Sequence, residues 1–278
     1  MNETSSKTPL ITQILLALVI LGSLFYLLSL APWRSLLRVE KVSEKTEEKL
    51  GNLYEAFIKR TENLIENPAK TEEAMQLFRS ICEANEIDFE GLQIYFIRSS
   101  LVNAFAMPGN QMVIYTGLID ACDHEGELAG VFAHELAHLQ KRHVMKKLVR
   151  ELGVGALVGM ASGGGGATVA EAIKILSSMS YSRELEREAD EYAVLYMEKA
   201  GLSAEYFAEF MFKISEMQNI PEEFMIISSH PHSEERTLSI INQSQINKEQ
   251  NTPILSTDEW LKLKTKLSYS IKTQEEYN

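Results

Sequence analysis

Residues 131–143 read VFAHELAHLQKRH and hold three of the six histidines in a chain of 278 residues. Two of them, His134 and His138, are four residues apart. On an α-helix that separation turns about 400°, which stacks both imidazoles on one face. Two neutral ring nitrogens at that spacing suit one tetrahedral zinc ion. Glu135 is turned about 100° from His134, too far to share the ion but within reach of a water at its open position. This is the logic of HExxH: the metal acidifies the water and polarises a carbonyl, and the glutamate carries the proton.

An HExxH arises by chance in a chain of this histidine content about once in a hundred, so its surroundings have to be weighed. Val131, Phe132, Ala133, Leu136, Ala137 and Leu139 are all apolar. They put the histidines on a buried or half-buried helix, where imidazoles need partners. His143 falls on a different azimuth and belongs to the basic run KRH, so it reads as a solvated residue.

A catalytic zinc takes a third protein ligand and keeps one position free. The segment SRELEREADEYA, residues 182–193, carries Glu184, Glu186, Glu188, Asp190 and Glu191 on a predicted helix. Most of these belong to a solvated acidic face. Ala189, Ala193 and Tyr196 mark a face that packs closely, and Glu186 and Asp190 point the same way. One of that pair suits the metal, and the other suits the second ring nitrogen of a ligand histidine.

The rest of the chain reads as mostly α-helical, class α+β. A helix is expected over 40–67, ending near Pro68, and a second from Thr71 to about Asn85. LQIYFIR (92–98) predicts a strand, and NAFAMPGNQMVIYTG (103–117) predicts two more around a turn at Pro108–Asn110. One long helix is expected from Asp123 to about Val149, with Glu125 and Glu127 near its positive end. The small, glycine-rich stretch 153–166 reads as a loop. Helices follow over 168–181, 183–200 and 203–218, with Gly201 and Ser203 as caps. In the polar tail after 246, Ser256 and Glu259 form a capping box.

Net charge is −12 with no basic block, which excludes nucleic acid as the main partner. Cys82 and Cys122 have no CxxC spacing and are two buried thiols or one disulfide, not a metal framework. Residues 10–31 contain no charge; as a helix they span about 33 Å, enough for one bilayer crossing. Trp33 and Arg34 sit where an interfacial anchor belongs. The run is too long for a signal peptide, and Pro32 makes a poor cleavage site, so a retained single-pass anchor is expected.

HELAH and SRELEREADEYA, preceded by NAFAMPGNQMVIYTGL and followed by HPHSEER, resemble the HtpX-like and CAAX prenyl protease group of membrane-associated zinc endopeptidases. The resemblance covers about residues 85–245 and rests on four ordered motifs. It implies a gluzincin of the zincin type, with one zinc on His134, His138 and Glu186, Glu135 as the base and Asp190 behind a ligand histidine. Glu188 stays open as a competitor to Glu186. His230 and Arg236 match the group's HPxxxxR element; as catalytic residues they would stabilise the oxyanion or cap the zinc reversibly. The strand segment implies a small antiparallel sheet whose exposed edge, Gln111, Met112, Val113 and Ile114, takes the substrate as an added strand.

The expected organisation is therefore a short tail (1–9), an anchor (10–31), a helical lead-in (32–84), a metallopeptidase domain (85–245) and a polar tail (246–278). The prenyl protease branch has several membrane spans where this chain shows one, which favours a single-anchor quality-control endopeptidase acting on protein or peptide substrates. The rival reading is a membrane-anchored chaperone that holds zinc and binds chains without cutting them. Lys7 before the span, against Arg34, Arg38, Lys41, Lys45 and Lys49 after it, places the domain in the cytoplasm by the positive-inside rule. The resemblance implies an extracytoplasmic domain, and that side is expected, because the short amino-terminal tail gives the charge rule little to compare.

Overall fold

A computed structural model describes residues 44–163, 166–178, 180–216, 226, 229–230 and 234–268. The expected anchor 10–31 with Trp33 and Arg34 lies outside these residues, as do Pro231, His232 and Ser233. Among the described residues, no helix is long and apolar enough to cross a membrane.

Two helices lead in. α1 (Glu44–Thr61) buries Leu50, Tyr54 and Ile58, spaced as one helical face. α2 (Pro68–Ala84) starts where the first helix was expected to end, because a proline at the first helical position lacks only an N–H that would go unpaired anyway. Asn67 caps it by accepting from Ala69 N–H at 3.1 Å.

Three strands follow: β1 (Gln93–Ile97), β2 (Ala104–Met107) and β3 (Gln111–Tyr115), in the order β1-β3-β2. The β2–β3 hairpin is antiparallel and turns through Gly109 and Asn110, both at positive φ. β1 runs parallel to β3, so the sheet is mixed and not antiparallel as expected. Residue alternation marks the faces of a strand but carries no information on its direction. Gln111, Met112, Val113 and Ile114 also fall elsewhere than expected: they lie in the central strand, paired on both sides, and all are buried. The sheet's edges are β1 and β2.

After α3 (Thr116–Ala121) comes α4 (Glu125–Gln140), which is buried from Glu125 to Leu139 and forms the centre of the core. Phe78 of α2 stacks on Phe132 of α4 with ring centroids 4.1 Å apart. Glu125 caps a distant segment, accepting from Ile254 and Leu255 N–H. The single helix expected over 123–149 is broken. Arg142 takes a left-handed conformation (φ 55°), which costs a non-glycine residue on the order of 1 kcal/mol. Its guanidinium is tied to Glu47 of α1 at 2.5 Å. Beyond the break, α5 (His143–Ala161) passes through Gly153 (φ 78°) and continues. Much of the stretch expected as a loop is therefore helical, because Leu157 and Met160 give it a face to bury.

α7 (Arg183–Lys199) and α8 (Glu205–Ser215) pack on α4, α9 (Glu234–Gln243) lies against both of them, and α6 (Gly166–Ser178) packs on α1, α5 and β2. Gly201 ends α7 at φ 77°, as expected. A short 3-10 turn (Lys248–Gln250) leads to α10 (Thr257–Leu267), capped by the expected Ser256–Glu259 box. α10 is tied to α2 by Lys262 and Lys266 on Glu73. Cys82 and Cys122 are free, buried thiols.

Candidate active site

The break after α4 and the packing of α7 against α4 gather the chain's polar groups in its most buried part. His134 and His138 are 3% and 0% exposed, Glu186 2%, and His230 7%. Nε2 of His134 and Nε2 of His138 stand 3.0 Å apart. Glu186 places its carboxylate 3.6 Å from the first and 3.7 Å from the second. Nδ1 of His230 lies 3.2 Å from His134 Nε2 and 3.0 Å from Glu186 Oε1. All four donor atoms fall within 4.8 Å of one another. Zinc–nitrogen bonds of about 2.0–2.1 Å at a tetrahedral centre put the donors about 3.3 Å apart. These residues fit a zinc ion.

The hydrogen-bond partners set the tautomers. His134 Nδ1 faces Asp190 Oδ1 at 3.0 Å, so its proton sits there and Nε2 keeps a lone pair. His138 Nδ1 faces Nδ1 of His143 at 3.0 Å, which leaves Nε2 free in the same way. Two lone pairs aimed at each other at 3.0 Å repel, and a cation between them resolves the conflict. Burial, and then the neighbouring cationic groups, push His138 well below its ordinary pKa, toward the neutral form that a metal requires.

The acids are tuned the opposite way. Burial alone would raise Glu186, but His230, His134 and Arg236 outweigh it and hold the carboxyl below its usual range. For Asp190 burial is likewise outweighed, chiefly by Arg236. His230 sits between two carboxylates, Glu186 on Nδ1 and Glu135 on Nε2 at 3.0 Å each. Burial would lower its pKa, yet the two acids lift it to about 9.

Glu135 lies beside this cluster. Its Oε2 accepts from the N–H of Ala106 on β2 at 2.9 Å. The edge strand β2 therefore touches the carboxylate directly. A narrow apolar recess opens beside Glu135 and His134, lined by Val131, Phe207, Phe210, Met211, Ile214 and Ile226.

The expected residues mostly converge. His134, Glu135, His138, Glu186, Asp190, His230 and Arg236 form one connected group, whereas Gln111–Ile114 lie one strand away. Glu188 stands apart from the cluster, paired with His143 at 3.1 Å and 40% exposed. Two residues were missed by sequence reasoning. His143 is not solvated but wholly buried against His138, because the helix break turns it inward. Tyr181 stacks on the other face of His138, centroids 3.9 Å apart. Its place just ahead of the acidic helix was the only signal.

An HExxH helix buried in an α+β domain, with a carboxylate brought in from a second helix, defines the zinc metallopeptidase class. Residues 68–243 match the model of peptidase family M48, and the chain belongs to that family, whose metal is zinc. It is 26% identical over 215 residues to the beta-barrel assembly-enhancing protease of Escherichia coli (strain K12), covering 71% of this chain and 44% of that protein. Metalloprotease LoiP of the same organism is 28% identical over 182 residues, 62% of this chain and 71% of LoiP. The mitochondrial metalloendopeptidase OMA1 of Schizosaccharomyces pombe is 25% identical over 164 residues, 56% of this chain and 49% of that protein. The chain spans less than half the length of the beta-barrel assembly-enhancing proteases it matches.

Proposed function

We propose that this chain is a zinc endopeptidase that hydrolyses internal peptide bonds of protein substrates, with His134, His138 and Glu186 as the metal ligands and Glu135 as the base. The observation that carries the reading is the convergence of those side chains at donor spacings suited to zinc, with Glu135 alongside and held by β2. Zinc, when bound, acidifies a water and polarises the scissile carbonyl. Glu135 takes the water's proton and passes it to the leaving amine. Asp190 fixes His134 in its binding tautomer, and Arg236 holds Asp190 and Glu186 in place. Substrate adds as a strand along β2, the edge next to Glu135, and not along β3. The recess beside Glu135 receives an apolar side chain next to the scissile bond. His230 Nδ1 is the fourth possible donor atom of the cluster, which supports a reversible cap that forms once the metal displaces the Nδ1 proton.

The catalytic domain, in this reading, takes in α2 as well as residues 85–245, since Phe78 packs into the core of α4. Residues 10–31 supply a single membrane anchor, with the domain on the extracytoplasmic side. The likeness to relatives named for beta-barrel assembly supports a quality-control role, the likeness to the metalloendopeptidase OMA1 supports internal cleavage, and the motif resemblance supports the HtpX-like group. A zinc-holding chaperone that binds without cutting is the alternative, and the intact Glu135 disfavours it.

Cleavage of an unfolded protein, with and without a chelator, is the test. Glu135→Gln should keep one zinc per chain and lose activity by a factor of about a hundred or more. Parent-level cutting by that variant, or none by the metal-loaded parent, would refute the assignment. Protease protection of intact cells tests the orientation; a domain shielded until the inner membrane is broken would reverse it.

A further inference from the structure

We infer that His143 and Glu188 form a positioning relay for the metal ligand His138, an inference that rests on the zinc site proposed above. A histidine that binds zinc through one nitrogen donates the N–H of the other to an acceptor, which fixes its tautomer and ring plane. His134 uses Asp190 for this purpose. Among the described residues, His138 has no carboxylate at Nδ1; its neighbour there is Nδ1 of His143, 3.0 Å away.

Two ring nitrogens at that distance share one proton. Because Nε2 of His138 is turned to the donor cluster, the shared proton belongs to His138, and Nδ1 of His143 accepts it. His143 then carries its own proton on Nε2, which lies 3.1 Å from Glu188 Oε2. The donors run outward in one sense, from His138 to His143 to Glu188. Tyr181 stacks on the face of His138 and limits its tilt, while His143 limits its rotation in plane.

The geometry depends on the helix break. On a continuous helix a residue five positions on is turned about 140° from the first, so His143 would point away from His138. The left-handed Arg142, held by Glu47, reverses the chain and brings the first residue of α5 back onto the site. The arrangement also suits the local charge. Glu135, Glu186 and Asp190 already put three buried carboxylates around the cluster, and a fourth would add a large desolvation penalty. A neutral imidazole carries the interaction to a carboxylate that is 40% exposed instead.

Zinc affinity of the full chain, measured by chelator competition, tests the relay. His143→Phe fills the ring's space without an acceptor and should raise the zinc dissociation constant by about 10–100-fold, with KM on an unfolded substrate unchanged. His143→Asn keeps an acceptor oxygen at the same position in the side chain but does not reach Glu188, so it should recover affinity only to the level of Glu188→Ala, within about ten-fold of the parent. Glu188→Ala, at an exposed position, should weaken binding by about three- to ten-fold and reads the relay even where the phenylalanine variant misfolds. A merely structural role predicts that both His143 variants lose metal-free stability and bind zinc alike; that pattern would overturn the inference. So would parent affinity in both His143→Phe and Glu188→Ala while His138→Ala loses the metal. Zinc retained by His138→Ala would instead overturn the metal assignment itself.

Discussion

Arg236 grips Asp190 with both prongs of its guanidinium. Nε donates to Oδ2 and Nη2 to Oδ1, each at 2.7 Å, while Nη1 reaches Glu186 Oε2 at 2.8 Å. One side chain of α9 thus spans the proposed zinc ligand and the carboxylate behind His134. Arg236 is 12% exposed and both acids less, so its charge offsets one of the two carboxylates where water does not.

Removing one member of such a group leaves the others buried and unpaired. Arg236→Ala should therefore cost about 3–5 kcal/mol of metal-free stability, seen as a lower urea midpoint. Arg236→Lys should recover less than half of that, because a point charge cannot reproduce the planar fork. Parent-like stability in both variants would mean that the network does not hold α9 to α7.

Glu186 and Glu188 differ by two positions in sequence and by their environment in the fold: one is in the donor cluster, the other half-exposed beside His143. Glu186→Ala should weaken zinc binding beyond the roughly 100-fold ceiling for a group that acts through a ligand. Glu188→Ala should stay well within it. The reverse order, read by the same chelator titration, would exchange their roles.

What could be read before folding was set by local spacing. His134, Glu135 and His138 lie within one turn and a half of helix, so helical geometry alone related them. Glu186, Asp190, His230 and Arg236 are far off in sequence, and no periodicity relates them to α4; their motif context did so. The strand pairing of β1 and the central place of β3 were hidden because alternation fixes faces and not neighbours. His143 was misread for a physical reason. Its azimuth was reckoned on an unbroken helix, and the KRH run has neither the glycine nor the proline that usually announces a break.

Gly130 tests how tightly α4 is packed. A Cβ at this position would overlap the Cβ of Phe207 on α8, a residue that lines the recess and lies 5.6 Å from His134 between ring centroids. Gly130→Ala gains helix propensity, but backbone and ring must move apart. Destabilisation of about 1–3 kcal/mol is expected, with a raised KM as the recess deforms. A more stable variant with unchanged KM would show that α8 adjusts freely.

Away from the site, acid should loosen α10 from α2 through Glu73. Burial alone would raise its pKa, but hydrogen bonds from Lys262 and Lys266 outweigh it and hold it below the ordinary value. A folded pKa below the unfolded one, about 4.3, gives stability that is present above that value and lost as pH falls through the folded pKa. Glu73→Gln should therefore be less stable than the parent at pH 7 by about 0.5–1 kcal/mol, since both lysines are partly exposed. The gap should narrow as pH falls below about 4 and close once the folded carboxyl is protonated. A gap of equal size at pH 7 and in acid would exclude the ion pair as its source.

His230 is held at the cluster by its backbone as well as its ring. Its N–H donates to Ile226 O at 2.9 Å, and Ile226 N–H donates to Val102 O at 3.1 Å, just ahead of the edge strand β2. Ile226 and His230 are thus pinned beside the strand proposed to receive substrate. Ile226 also lines the recess next to Glu135. A catalytic zinc site needs an open position, so in the proposed reading a neutral His230 that fills it would act as a brake. His230→Ala should raise turnover of an unfolded protein while zinc content stays at one per chain, because three donors remain. A transition-state stabiliser behaves in the opposite way, and loss of one such donor lowers turnover by about a hundred-fold or more. A fall of that size, with zinc retained, would assign His230 to the oxyanion and leave the fourth position to be opened by substrate itself.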